Sequence, residues 1–132
     1  MAIVMVADMP VRFTIDHAAR YVTVRAEGIV VLDEILDYFD ALVTQDAMPY
    51  RKLFDARDAE PRLSDDDVMV LGARVSAYAE FEPRGPIAAI APPGAAADIL
   101  HRFINLGGAS RAMRLFHSVE QARTWLAEQP ET

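Results

Sequence analysis

The stretch IAAIAPPGAAADIL, residues 87–100, holds a strand, a turn and the start of a helix in direct succession. Residues 87–91 are small and apolar throughout, which is typical of a strand covered on both faces of its sheet. The residues PPG then turn the chain, and a helix is predicted from about residue 95 to the glycines at 107 and 108. A buried strand that leads directly into a helix indicates a βαβ unit, and therefore a parallel sheet.

The segment before this stretch contains three further strands and two further helices. VRFTID (11–16) and YVTVRAEG (21–28) alternate apolar and polar residues, which predicts two half-buried strands joined as an antiparallel hairpin. Apolar residues at helical spacing over 33–45 predict the first helix, and KLFDA (52–56) predicts a short buried strand. The second helix is predicted to begin at SDDD, residues 64–67, and to run to about Phe81.

The residues after 108 complete the pattern. AMRLFH (112–117) predicts the last strand, and Ser118 with Gln121 suits a capping box that opens a final helix through Leu126. The predicted order is β-β-α-β-α-β-α-β-α, an α/β fold with four helices and a mostly parallel central sheet that carries an antiparallel N-terminal hairpin. Residues 11–132 are therefore predicted to form a single domain. Residues 1–10 are interpreted either as an additional edge strand or as an arm that docks on a partner.

Composition narrows the class of protein. The chain has 132 residues, a formal net charge of −7 and no cysteine. Because nucleic-acid binding depends on neutralising phosphates, this charge argues against a nucleic-acid partner. The absence of cysteine excludes disulfides, thiolate zinc sites and thiol catalysis, and it fits a reducing compartment. No apolar run is long enough to span a membrane, so we expect a soluble, cytoplasmic protein.

Recognisable catalytic motifs are missing from the sequence. His17, His101 and His117 lie in no nucleophile or metal motif, and no phosphate-binding glycine loop occurs. We therefore expect no enzyme activity, no cofactor and no metal site. The helix that follows PPG offers an alternative, an anion site at its N-terminus, although three alanines there are explained more simply by close packing.

The predicted second helix is apolar nearly all round. Val68, Leu71 and Val75 belong to one apolar face, and a second face is formed by Met69, Val70, Ala73, Ala77 and Phe81. A helix of this kind has to be covered on more than one side. The second face is either covered by the neighbouring helices or is an interface or ligand face, and both alternatives stay open.

The order and spacing of these elements over residues 11–128 resemble the STAS domain of sulfate transporters and anti-sigma-factor antagonists. They resemble small stand-alone bacterial SpoIIAA-like proteins more closely. The segments that carry the resemblance are VTVRAEG (22–28), KLFDARD (52–58), IAAIAPPG (87–94) and HSVEQARTWL (117–126). SpoIIAA-like proteins share features of their fold with lipid-carrying CRAL-TRIO domains.

The resemblance implies a role for Ser64 as a phosphoacceptor. In the antagonists a serine is phosphorylated at the start of the second helix, within an Asp-Ser-Ser-Gly motif. Ser64 occupies that position, but the sequence here reads Leu63-Ser64-Asp65-Asp66, without the second serine and the glycine. The residues themselves favour a simpler interpretation, in which Ser64 is the helix N-cap and the three aspartates complement the helix dipole.

Asp55 ends the predicted strand KLFDA, where bacterial receiver domains carry a phosphorylated aspartate. A receiver also needs a lysine after its last strand. The single lysine of this chain, Lys52, lies at the start of KLFDA instead, so the receiver interpretation is rejected.

The resemblance implies a non-enzymatic regulatory or protein-interaction module whose contact surface is the second face of the second helix. The partner is not identified by the sequence, and a homodimer is favoured because the apolar second helix and the apolar N-terminus both need cover. The alternative function is a small carrier of an apolar, lipid-like ligand, favoured by the wide apolar faces of the second and third helices. Such a carrier requires a cavity of roughly 300 Å³ or more.

Overall fold

The structure is a computed structural model that describes residues 3–6, 10–78, 85–107 and 113–130. These described residues form a mixed sheet and four helices, as the sequence predicts. The strands are β1 (Ile3–Val6), β2 (Val11–Asp16), β3 (Tyr21–Val30), β4 (Arg51–Pro61), β5 (Ile87–Ile90) and β6 (Met113–Phe116). The helices are α1 (Leu32–Thr44), α2 (Asp65–Tyr78), α3 (Ala95–Gly107) and α4 (Val119–Glu128).

The six strands lie side by side in the order of the chain, β1 to β6. The β2–β3 hairpin is antiparallel, and β3 through β6 are mutually parallel, so the predicted α/β class with its antiparallel hairpin is confirmed. Strand β1 lies in the N-terminal segment that was interpreted as an edge strand or an arm; it pairs antiparallel with β2 and adds one edge strand to the predicted order.

The placement of the helices follows from the strand order. Crossovers between parallel strands are almost always right-handed, so three successive crossovers that advance in one direction place their helices on the same face of the sheet. Helices α1, α2 and α3 accordingly line one apolar cavity on that face. Helix α4 follows the last strand and packs on the opposite face, against β4, β5 and β6.

Two apolar cores result from the alternation of side chains along the strands. On the α1 side, Phe13, Ile15 and Val24 pack against Tyr38 and Leu42. On the α4 side, the core consists of Leu53, Ala88, Ile90, Ala122 and Leu126. Helix α4 covers only the β4–β6 half of its face, so the other half carries the polar residues of the alternating strands, such as Arg12, Thr23 and Arg25.

Lys52 is almost completely buried, with 1% of its surface exposed. Its ammonium group donates to the main-chain carbonyl oxygens of Met48 and Tyr50, the latter at 2.8 Å. A buried charge needs such partners, because it has lost its hydration. Gly85 packs against the same turn. Its N–H donates to the Met48 carbonyl oxygen, and a Cβ at this position would lie 2.2 Å from the Tyr50 carbonyl oxygen. The Met48 carbonyl oxygen accepts from both Lys52 and Gly85, so it joins the turn before β4 to the residues that precede β5.

Helix α2 begins with a reciprocal cap. The Ser64 hydroxyl accepts a hydrogen bond from the Asp67 N–H at 3.1 Å, and the Asp67 carboxylate accepts from the Ser64 N–H at 3.0 Å. The pair satisfies two main-chain donors, one of them in the otherwise unpaired first turn of the helix. Ser64 is therefore the N-cap of α2.

Replacing the cap serine should destabilise the protein. We expect Ser64→Ala to lower the free energy of unfolding by about 1 kcal/mol, because the Asp67 N–H loses its acceptor. For a chain of this size the melting temperature should fall by roughly 3–5 °C. Urea denaturation and a thermal melt measure the two quantities.

The matched control is Ser76→Ala, which changes an exposed serine in the last described turn of the same helix. Alanine has the higher helix propensity, so this variant should be unchanged or more stable by up to about 0.5 kcal/mol. Equal losses in the two variants would contradict the capping role of Ser64.

Candidate functional site

A β-bulge interrupts β4 next to Asp55. Arg25 of β3 lies opposite Asp55, and Glu27 lies opposite Asp58, so three residues of β4 span the same length as two of β3. The extra residue falls at Ala56–Arg57. A bulge of this kind returns Asp58 to the same face as Asp55 and re-aims the side chain beside it.

Asp55 is enclosed by two arginines at this bulge. The Arg57 guanidinium donates to both carboxylate oxygens of Asp55, from Nε at 3.0 Å and from Nη2 at 2.8 Å. Arg25 donates to Asp55 at 2.8 Å and also pairs with Asp58 on the far side of the bulge. Asp55 is 8% exposed. Burial alone would raise the pKa of its carboxyl, but hydrogen bonds from Arg57 and the charges of Arg57 and Arg25 lower that pKa overall.

An open cleft of about 300 Å³ lies beyond the carboxyl ends of β5 and β6, beside the bulge of β4. It is lined by Arg57, Pro92, Pro93 and His117, and we call it the strand-end cleft. The two prolines follow β5 and His117 follows β6. His117 is held by a hydrogen bond of 3.2 Å between its Nδ1 and the Ala91 carbonyl oxygen.

The sequence draws attention to Asp55 and His117 singly, and it does not single out Arg57. The tripeptide Asp55-Ala56-Arg57 is the part of the sequence that indicates this pair. An arginine two residues after an aspartate can hydrogen-bond to its carboxylate when the strand contains a bulge. The bulge itself cannot be predicted from this sequence.

Ser64 is exposed and follows Asp55 by nine residues along the chain. Two arginines near Ser64 in the sequence are engaged elsewhere, Arg57 with Asp55 and Arg62 with Glu60 at 3.1 Å. Asp65 pairs with Arg102 of α3 at 2.6 Å. The surroundings of Ser64 are those of a helix cap with acidic neighbours.

The second face of α2 is exposed to solvent. Met69 is 58% exposed and Val70 is 43% exposed, and Ala73 and Ala77 are also exposed on the same side of the helix. Phe81, the last residue predicted for this face, lies outside the described residues. We call Met69, Val70, Ala73 and Ala77 the outer face of α2. Helices α1 and α3 flank α2, but they do not cover this face.

The inner face of α2 borders an apolar cavity of about 100 Å³. The cavity lies between the sheet and helices α1, α2 and α3, and apolar residues line it throughout. They include Phe39, Phe54, Leu71, Ala89, Leu100 and Phe103. The volume is about a third of the ~300 Å³ at which small-molecule sites usually begin.

Two further polar groups, His17 and Asp40, have structural partners. His17 is bonded through Nδ1 to the Tyr50 hydroxyl at 2.8 Å and through Nε2 to Gln45 at 3.2 Å. In the described part of the chain, no three histidine or acidic side chains are grouped closely enough to hold a metal ion. Asp40 of α1 pairs with Arg74 of α2 at 3.3 Å.

The lowered pKa of Asp55 predicts a pH-dependent contribution to stability. This contribution is complete above the pKa of the unfolded chain, about 3.9, and is lost as the pH falls through the lower pKa of the folded state. Asp55→Asn should therefore cost about 1.5–3 kcal/mol at pH 7, with a gap to the natural protein that narrows below about pH 4. Urea denaturation across this pH range measures it.

Asp37→Asn, which changes an exposed aspartate of α1, is the matched control and should leave the stability nearly unchanged at pH 7. If the gap for Asp55→Asn stays constant from pH 7 to the acid limit of folding, the ion pairs of Asp55 do not stabilise the fold.

Comparison with known proteins bears on the fold alone. No protein-family model and no curated protein matches the chain. Among the described residues, no helix is both long and apolar enough to cross a membrane. A solved structure does match: an uncharacterised protein of the DUF3478 family from Shewanella loihica PV-4, described as having a SpoIIAA-like fold. The two share 15% sequence identity over 95% of this chain and 92% of the other, with a TM-score of 0.54. The fold of this chain is accordingly SpoIIAA-like.

Proposed function

We propose that the protein is a non-enzymatic, cytoplasmic interaction module whose protein partner docks on the outer face of α2. The observation that carries the proposal is the exposure of Met69 and Val70, at 58% and 43%, on a helix whose opposite face is buried. Large apolar side chains grouped on one face mark interaction sites more often than isolated ones do. The SpoIIAA-like fold supports the proposal through its resemblance to the anti-sigma-factor antagonists.

The chemistry of the described residues also favours a module without catalysis. His17 is bonded to a tyrosine and a glutamine, and His117 to a main-chain carbonyl. Neither arrangement pairs a serine or threonine nucleophile with its base. A second copy of the chain is one form that the partner can take, since it would cover the outer face of both copies.

A charge on the outer face of α2 should weaken docking. We expect Met69→Asp and Val70→Asp to abolish self-association, or to lower retention of the partner at least tenfold, because the aspartate would be desolvated in the contact. Sedimentation velocity measures self-association. Quantitative pull-down from the source organism, with variant and natural protein side by side, measures retention.

The matched control is Val43→Asp, which charges a valine that is 39% exposed on α1 and is not part of the outer face of α2. It should behave like the natural protein in both measurements. If Met69→Asp and Val70→Asp are also indistinguishable from the natural protein in both, the docking proposal is wrong.

A carrier of a small apolar molecule is the second candidate function, favoured by the apolar lining of the cavity beneath α2. Apolar cavities of about 150 Å³, engineered into other proteins, stay dry and bind benzene, so a void near 100 Å³ is suited to a molecule of benzene size or smaller. A larger, lipid-like ligand would require the cavity to be wider than it is here.

Benzene is a direct probe of the cavity. We expect benzene to raise the melting temperature of the natural protein, and Ala96→Leu to remove most of that rise because the leucine would fill the space. Ala96 lines the cavity in the first turn of α3. Its neighbour Ala95 is exposed, so Ala95→Leu is the control that should keep the response. The same benzene response in all three proteins would exclude the cavity as a binding site.

A further inference from the structure

The strand-end cleft lies where ligands are commonly bound in α/β proteins. Its lining residues come from three neighbouring parallel strands: Arg57 lies within β4, two residues after its last pair with β5 at Asp55, the prolines follow Ile90, and His117 follows Phe116. Asp55 and Ile90 are paired across β4 and β5, and Ile90 and Phe116 across β5 and β6. The carboxyl ends of parallel strands form the usual ligand edge of an open sheet. A volume of about 300 Å³ reaches the lower limit for a small-molecule site.

Arg57 presents a fixed donor to this cleft. A guanidinium has five N–H groups, and Asp55 takes one from Nε and one from Nη2. The edge between Nη1 and Nη2 therefore retains donors in the fork geometry that matches a phosphate or a carboxylate. The two hydrogen bonds to Asp55 fix the position of the Arg57 guanidinium before a ligand binds, and this reduces the conformational entropy lost on binding.

His117 contributes a second polar group whose tautomer is fixed. The Ala91 carbonyl oxygen can only accept, so the Nδ1 of His117 carries the proton in their hydrogen bond. Nε2 is therefore left for a ligand. It accepts from the hydroxyl of a protonated phosphate, and it donates to an anion once the imidazole is protonated.

We propose that the strand-end cleft binds a small molecule through an oxyanion group, a phosphate or a carboxylate, held by Arg57 and His117. None of the described residues that line the cleft carries a carboxylate, although the whole chain has a net charge of −7. Asp55 is buried behind Arg57 and does not line the cleft. Pro92 and Pro93 supply rigid apolar walls for the organic part of the ligand.

The N-terminus of α3, at Ala95, adds little selectivity of its own. Its positive dipole end favours anions, but Asp98 in the first turn places an opposing charge there. The preference for an oxyanion comes from Arg57 and His117. The site is separate from the outer face of α2 and does not depend on the docking proposal.

The test is a titration of the full, ¹⁵N-labelled chain with inorganic phosphate, methyl phosphate and acetate, each at constant ionic strength. We expect saturable shifts of the amide resonances of residues 94–97 and 117–118 with at least one probe. Methyl phosphate and acetate distinguish the two classes of oxyanion. Arg57→Gln should raise the dissociation constant at least tenfold, and His117→Gln should raise it at least threefold.

Arg62→Gln is the matched control, because Arg62 also pairs with an acidic residue two positions earlier, Glu60, but lies outside the cleft. It should bind like the natural protein. Shifts that stay linear with every probe, or equal weakening by Arg57→Gln and Arg62→Gln, would overturn the proposal. If Arg57→Gln does not fold, His117→Gln decides, since it leaves the bonds of Asp55 intact; an unchanged dissociation constant there overturns the proposal as well.

Discussion

One extra residue in β4 determines how the charged side chains around Asp55 are arranged. Without the bulge at Ala56–Arg57, strict alternation would place Asp58 on the face opposite to Asp55. With it, Arg25 contacts both carboxylates, and Arg57 is directed toward the ends of β5 and β6. The pairing of β3 with β4 then continues to Pro61, three residues before the cap of α2. The strand-end cleft and the start of α2 are thus both positioned by a single local irregularity.

The sequence predicted the parts of the fold that depend on apolar periodicity. Val11, Phe13 and Ile15 alternate with polar residues and all are buried, and Ser64 stands where a cap was expected because serine and aspartate are good cap formers. The predicted strand over residues 52–56 is shorter than β4, which runs from Arg51 to Pro61. Asp58 and Glu60 show no strand pattern, and they are extended because β3 offers them pairing partners, Glu27 and Ile29. This partnership is tertiary, so local propensity cannot report it.

The candidate sites also differ in how far the sequence could predict them. The apolar character of the outer face of α2 could be predicted because apolar residues all round a helix are visible in the sequence. Its exposure could not, because cover by the neighbouring helices stayed open, and Arg57 could not, because its position depends on the bulge. Arginine also ties the helices on one side of the sheet together, through Arg74 with Asp40 and Arg102 with Asp65. These pairs are exposed, so each adds little stability; they set how neighbouring helices are oriented at the surface.

Twelve of the thirteen basic residues are arginines, and the single lysine has its amine enclosed by main-chain carbonyls. Acetylating and methylating enzymes, and reagents such as activated esters, all require access to a lysine amine. In the folded state the ε-amine of Lys52 is shielded from all of them. Any modification found at Lys52 would therefore record that this part of the core had opened, and the chain carries a chemical reporter of its own local unfolding.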